Sequence, residues 1–146
     1  IRAALSDQSG TTSIQSIEGR EEYSSLGELL HPFAGTGTTR SDIVPCHRLD
    51  DLVAEQGLRP KLIKMDVEGA EGLVLRGAVS VLREHQPVII TELSDPLLRA
   101  MGSSSSEVID LLRSLDYKLT DPIHPGLAVG RRSFGDLVGI PRHLQN

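Results

Sequence analysis

Residues 62–71 read Leu62-Ile63-Lys64-Met65-Asp66-Val67-Glu68-Gly69-Ala70-Glu71. Leu62 to Met65 has the length and apolar character of a buried strand, and it ends on Asp66. Gly69 allows close backbone approach where a helix begins. From there the spacing of Val74, Ala78, Val81 and Leu82 predicts one helix running to about His85. Pro87 stops it, and Val88 to Leu93 follows as a continuous apolar run, the mark of a strand buried on both faces of a parallel sheet. Ser104 and Glu107 then form an S-x-x-E capping box ahead of Val108, Leu111, Leu112 and Leu115, which predicts a second helix. Tyr117 to Thr120 and Phe134 to Ile140 read as the last strands, the latter closed by Pro141. Strands alternating with helices imply a parallel sheet with helices on its faces. The segment between the last two strands is too short and too rich in proline for a crossover helix, so these two should form an antiparallel hairpin.

Upstream the pattern is less regular. Ile1 to Leu5 resembles the end of a strand, and Ser6-Asp7-Gln8-Ser9-Gly10 has turn composition. Thr11 to Ile17 is β-branched and can pair back across that turn. Residues 18–41 are polar and rich in Gly, Ser and Thr around one apolar island, Leu26 to Leu30, which predicts a mobile loop or lid. Ile43 to Leu49 reads as a strand that Pro45 would make an edge or a bulged one. Asp50 can cap a short helix to about Gln56, with Leu52 and Val53 inward and Gly57 as its stop.

The 146 residues suit a single domain over 1–146. With 38% hydrophobic and only 3% aromatic residues the core is aliphatic. A net charge of −5 and a pI near 5.5 argue against a nucleic-acid surface and against docking on anionic membranes. The lone Cys46 has no internal partner, which fits a reducing, cytoplasmic setting. No apolar run approaches the roughly 20 residues of a membrane span. The first residue is Ile and no leader pattern follows it, so the chain is expected to begin inside a domain.

The chemistry gathers where the strand at 62–65 ends. Asp66, Glu68 and Glu71 cluster at a strand-to-helix transition, and Glu92, near the end of the next strand, should lie beside them. In open α/β sheets, ligands bind beyond the carboxyl ends of the strands. Carboxylates in a first helical turn also interact favourably with the helix dipole, and Glu68 or Glu71 can do only that; Asp66 ends an apolar strand and is harder to account for so. Carboxylates here can take a proton from an acceptor hydroxyl, hold an ammonium group, or bind a hard cation. His85 suits a helix C-terminus, and His31, His47 and His124 carry no assigned role.

The run 62–71, followed by Val74-Leu75-Arg76-Gly77-Ala78 and Pro87-Val88-Ile89-Ile90-Thr91-Glu92, is similar to the signature of FkbM-type S-adenosylmethionine-dependent methyltransferases. Leu49-Asp50-Asp51-Leu52, Ala4-Leu5-Ser6-Asp7 with Gly10, and Phe134-Gly135-Asp136-Leu137 with Pro141-Arg142 resemble flanking elements of that family. The resemblance implies an α/β, class I (Rossmann-like) methyltransferase fold: a mostly parallel sheet ending in an antiparallel hairpin, here without the first two strands and the Gly-rich loop. It implies S-adenosyl-L-methionine as cofactor and O-methylation of a hydroxyl on a sugar or secondary metabolite, with a divalent cation as an option. Ala4, Leu5 and Ser6 would lie near the adenine. Asp66 would lie near both the methionine part and the acceptor, and Glu68, Glu71 and Glu92 would line the same mouth. Asp66, Glu68 and Glu92 are the candidate catalytic groups, and Glu71 is a substrate or metal candidate.

Without a Gly-rich loop, this chain alone is expected to show no S-adenosylmethionine binding at micromolar ligand in a calorimetric titration. Losing the first two strands would also leave Leu62 to Met65 as an exposed apolar edge. That edge could pair with Ile43 to Leu49, with a second copy, or by swapping, so self-association is expected; a clean monomer by light scattering at high concentration counts against it. Two other readings are a non-catalytic binding module that keeps the fold, and a metal-dependent hydrolase built on Asp66, Glu68 and Glu92. The hydrolase lacks any nucleophile motif or His-rich metal set.

Overall fold

The computed structural model describes residues 1–26, 37–130 and 134–145. It is a mixed α/β fold with two four-stranded sheets. The first contains β1 (Ala4–Leu5), β2 (Gly10–Ile17), β3 (Arg20–Ser25) and β4 (Thr39–His47), in the order β1-β4-β2-β3. The second contains β5 (Leu62–Met65), β6 (Val88–Ser94), β7 (Tyr117–Thr120) and β8 (Phe134–Pro141), in the order β5-β6-β8-β7. Helix α1 (Leu49–Gln56) joins the sheets, α2 (Glu71–Arg76) and α3 (Val79–Glu84) connect β5 to β6, and α4 (Asp95–Ala100) and α5 (Ser105–Ser114) connect β6 to β7.

One aliphatic cluster holds the second sheet to its helices. Met65, Ile89, Leu93, Leu137 and Tyr117 from the strands meet Val74, Leu75, Leu82, Leu98, Val108 and Leu112 from the helices. Burying each such side chain contributes roughly 1.5–3 kcal/mol relative to leaving it in water. The buried strand residues alternate with others on the opposite face, where Leu62 is 56% and Ile90 37% exposed. The Val88 run is therefore covered on one face, not both, because α2 to α5 supply the apolar cluster on one side only.

The sheet is also less parallel than its sequence suggests. β5 and β6 pair in parallel, but β8 runs antiparallel to both β6 and β7. The hairpin forms as expected, and β8 rather than β7 takes the place beside β6. Among the described residues β5 pairs with β6 alone, so it is the edge anticipated, and residues 43–47 of the segment that could have covered it lie in the other sheet.

Four local readings change. The helix expected from Gly69 to His85 is two helices, broken at Gly77-Ala78. Gly77 lies so close to the Ser6 carbonyl that no side chain fits, and its own carbonyl accepts from the Asp50 amide at 2.9 Å. The break thus lets the first sheet seat against the helices. Asp50 does not cap α1, whose N-cap is Arg48 with no side-chain bond. Its Oδ1 instead accepts from the Val81 amide at 2.9 Å, capping α3 from 31 residues away. Thr11 to Ile17 does not pair with Ala4–Leu5: β4 stands between them, parallel to β1 and antiparallel to β2. Pro45 is tolerated there because β1 covers β4 only from Cys46 onward. Finally, residues 20–25 and 39–41, read as loop, are strand; β-branched and polar residues alternate poorly there, and cross-strand pairing with β2 supplies the order. The rest of the anticipated lid, 27–36 with His31, lies outside the described residues.

α5 begins as its capping box predicts, with the Ser104 hydroxyl accepting from the Glu107 amide at 3.2 Å. The reciprocal half differs, since the Glu107 carboxylate takes a bond from Ser103 Oγ at 3.0 Å.

Candidate active site

The turn from β5 into α2 is built by backbone torsions that few sequences permit. Glu68 has φ 49° and Gly69 φ 98°. A Cβ on Gly69 would stand 2.6 Å from the Leu97 carbonyl oxygen, so only glycine lets this turn lie against α4. A non-glycine residue in the left-handed region at such a place is held by its surroundings and marks a site worth functional attention. The Ser25 hydroxyl, from β3, donates to the Glu68 carbonyl at 3.5 Å and links the turn to the first sheet.

This geometry brings together all four carboxylates singled out from the sequence. Asp66, Glu68, Glu71 and Glu92 line one notch of about 40 Å³, closed by Gly69, Ser94 and Leu97. They differ in setting. The Asp66 side chain is 60% exposed and pairs with Lys64 Nζ at 3.2 Å. Glu71 is 3% exposed. Its Oε1 accepts from the Gly69 amide at 3.4 Å, and among the described residues its Oε2 has no hydrogen-bond partner. Burial pushes the Glu71 carboxyl above its ordinary value, against smaller lowering contributions from backbone amides of its own turn. Glu92 sits directly across from Asp136 on β8, which extends the acidic row by one strand.

A second cleft, of about 310 Å³, opens on the other side of Asp66. It is mainly apolar, with Ala4 and Leu5 from β1, Ile14 from β2, and Val67 and Ala70 from the site turn along its walls. Asp66 lines both spaces. Of the residues expected near an adenine, Ala4 and Leu5 are here, whereas Ser6 is not among the lining residues. Its amide donates to His47 O at 3.0 Å, its hydroxyl to Asp7 at 3.2 Å, and its carbonyl abuts Gly77. Ser6 is a joint of the fold because the chain turns away after Leu5.

Among the described residues no three His, Cys, Asp or Glu side chains are arranged to hold a metal ion. The divalent cation held as an option finds no ligand set among the described residues: the four carboxylates share a notch without converging on one point. His85 closes α3 as expected, and His124 sits 3.5 Å from Asp121, away from the notch. Three contributors went unnoticed in the sequence. Ser25 lay in a stretch read as loop and carried no signal. Asp136 and Leu97 become site neighbours only through strand register and the short helix α4, whose Asp95-Pro96 start is a legible helix opening.

An acidic strand end beside an apolar cleft, on an α/β frame, is an arrangement suited to a group-transfer enzyme working on a small molecule. The chain belongs to the FkbM methyltransferase family: the model of the methyltransferase FkbM domain matches residues 1–119. The match includes every residue of the notch and stops before β8. Among solved structures, the methyltransferase FkbM from Methylobacillus flagellatus KT is similar at 22% identity and a TM-score of 0.42, over 67% of this chain and 23% of that one. No curated protein matches the chain. Among the described residues no helix is long and apolar enough to cross a membrane.

Proposed function

We propose that this chain is the C-terminal portion of a class I, S-adenosylmethionine-dependent O-methyltransferase acting on a hydroxyl of a sugar or secondary metabolite in the cytoplasm. The observation that carries the reading is the position of Asp66, on the rim shared by the apolar cleft and the carboxylate notch. The order β5-β6-β8-β7 with an antiparallel β8 supports it, since it is the order the back half of that fold requires. The open side of β5 supports it too, and makes self-association part of the proposal.

The residues present fit part of the cofactor. The 310 Å³ cleft is at the lower end of small-molecule sites, and its small Ala4 and mainly apolar lining suit a heteroaromatic ring. When bound, S-adenosylmethionine supplies an electrophilic methyl group on a sulfonium. Ala4 and Leu5 would exclude water from the ring. Asp66, which lines both spaces, would hold its negative charge near the sulfonium and could take the acceptor's hydroxyl proton. Glu68 and Glu92 orient the acceptor by accepting hydrogen bonds from its hydroxyls.

The test is methyl transfer from a labelled cofactor to a panel of hydroxylated acceptors, using the protein at its natural length. Asp66→Asn should lower kcat by about 100-fold or more, the usual contribution of a positioned acid–base group. An unchanged rate in that variant, or no transfer to any hydroxyl, sinks the proposal.

A further inference from the structure

The turn that carries the carboxylates is one that its own residues disfavour. The Ala70 amide donates to the Val67 carbonyl at 3.1 Å, which closes a four-residue turn with Glu68 and Gly69 at its centre. Both central residues have positive φ, 49° and 98°. Turns of that kind are dominated by Gly, Asn and Asp at these positions, because other L side chains are crowded in the left-handed region. Gly69 meets the demand and Glu68 does not, so Glu68 is held there by its surroundings.

Glu71 supplies a holder. It is the first residue of α2, whose N-cap, Ala70, makes no side-chain cap bond. The Glu71 side chain instead folds back over the turn, where Oε1 accepts from the Gly69 amide at 3.4 Å. The amides of Val67 and of Glu71 itself also face the carboxyl and favour its charged form. With the residue 3% exposed and Oε2 buried, the carboxyl presents little to a ligand. Its neighbours are the backbone groups that shape the turn. Asp66 precedes that turn, Glu68 lies within it, and both line the notch. Where their carboxylates stand therefore depends on how firmly the turn is held.

We propose that Glu71 is a positioning residue: by accepting from the Gly69 amide it keeps Glu68 and Gly69 left-handed, and so fixes Asp66 and Glu68 at the mouth of the site. The inference rests on the methyltransferase reading only for what the held geometry serves. The property at work is an acceptor oxygen of the right reach, not a negative charge. Glu71→Gln retains that oxygen. Glu71→Met keeps an unbranched chain of similar length but offers only a weak sulfur acceptor.

The first measurement is amide exchange by nuclear magnetic resonance on the protein at its natural length, with both variants beside it. Exchange at Gly69 should quicken at least about tenfold in Glu71→Met and stay within about threefold in Glu71→Gln, as loss or retention of one hydrogen bond implies. The short amide-to-Hα distance within Glu68, which a positive φ imposes, should be kept in Glu71→Gln and lost in Glu71→Met. The second measurement is methyl transfer from a labelled cofactor to the panel of hydroxylated acceptors. In Glu71→Met kcat should fall about 10–100-fold with both KM values within about threefold, because misplacing a reacting group slows the step without removing a binding contact. Glu71→Gln should keep kcat within about threefold. Leu112→Ala weakens the core and leaves the turn alone, so it should keep its kcat at temperatures where it is folded, which separates a general loss of stability from a misplaced site.

Equal damage in Glu71→Gln and Glu71→Met would mean that the charge is what matters, and a raised KM with unchanged kcat would mean that Glu71 touches a ligand; either overturns the proposal. So does unchanged Gly69 exchange or unchanged kcat in Glu71→Met. If Glu71→Met does not fold, Glu71→Ala, which leaves space instead of bulk, is held to the same criteria. Absence of transfer to any hydroxyl fails the methyltransferase reading, and the exchange and distance at residues 68 and 69 then decide by themselves whether Glu71 holds the turn.

Discussion

The two sheets are held together in different ways. The second sheet shares one aliphatic cluster with four helices, and Leu82, Ile89, Leu98 and Leu112 in it are fully buried. Among the described residues the first sheet contributes none to the centre of that cluster, and of them only Leu5 packs against it. Among the described residues its strands are otherwise half-exposed or exposed, with Ala4, Ile17, Ser25 and Cys46 the buried exceptions. It is tied to the rest by discrete contacts: the Ser6 carbonyl against Gly77, the Ser25 hydroxyl to Glu68 O, and the Arg76–Asp7 pair. The difference teaches where stability and specificity reside. The second sheet supplies the folding energy and the carboxylates, the first supplies one wall of the apolar cleft, and the candidate site exists only where the two meet.

That contrast can be broken at its strongest point. Leu112→Ala, in the centre of the cluster, should cost about 2–5 kcal/mol and lower the denaturation midpoint of the whole chain. A loss below 1 kcal/mol in urea titration would mean that the cluster is not the main support. Gly77→Ala tests the seam. Its new methyl group collides with the Ser6 carbonyl, which should cost about 1–3 kcal/mol and loosen the first sheet selectively. Hydrogen exchange should then quicken in β1 and β4 ahead of β6; uniform quickening counts against two separable units. Asp50→Ala removes the cap of α3 and should cost about 1 kcal/mol, with amide exchange rising at Val81 before α1 is affected.

The smallest effect is one of pH. Burial raises the folded-state pKa of Glu71 above its ordinary 4.5, so between that value and the raised one the folded chain binds more protons than the unfolded chain. The stability this provides is full below pH 4.5 and is lost as pH rises through the folded pKa. Glu71→Gln should therefore flatten the decline in stability as pH rises above 4.5. Parallel curves for the two proteins would show that Glu71 is not held protonated by the fold.

Much of the second half was readable, because its signals are local. Periodicity placed α5 and the faces of α2 and α3, Pro87 marked the entry to β6, and Ser104 marked its cap. The carboxylate cluster was readable for the same reason: a strand end followed by a glycine turn is a short-range pattern, and Glu92 follows from parallel pairing of adjacent strands. The first half was harder. β3 has little apolar alternation, so its order comes from cross-strand pairing with β2 and not from its own residues.

The sequence by itself determined that Asp66, Glu68, Glu71 and Glu92 stand at neighbouring strand ends, because caps, breakers and apolar spacing act over a few residues. Only the tertiary structure decided that Asp50 caps α3 instead of α1, that Ser6 abuts Gly77 while Ala4 and Leu5 wall the cleft, and that Glu71 is buried. Those outcomes join positions 30 to 70 residues apart. They depend on how two sheets seat against each other, a long-range packing result that no short stretch of chain encodes.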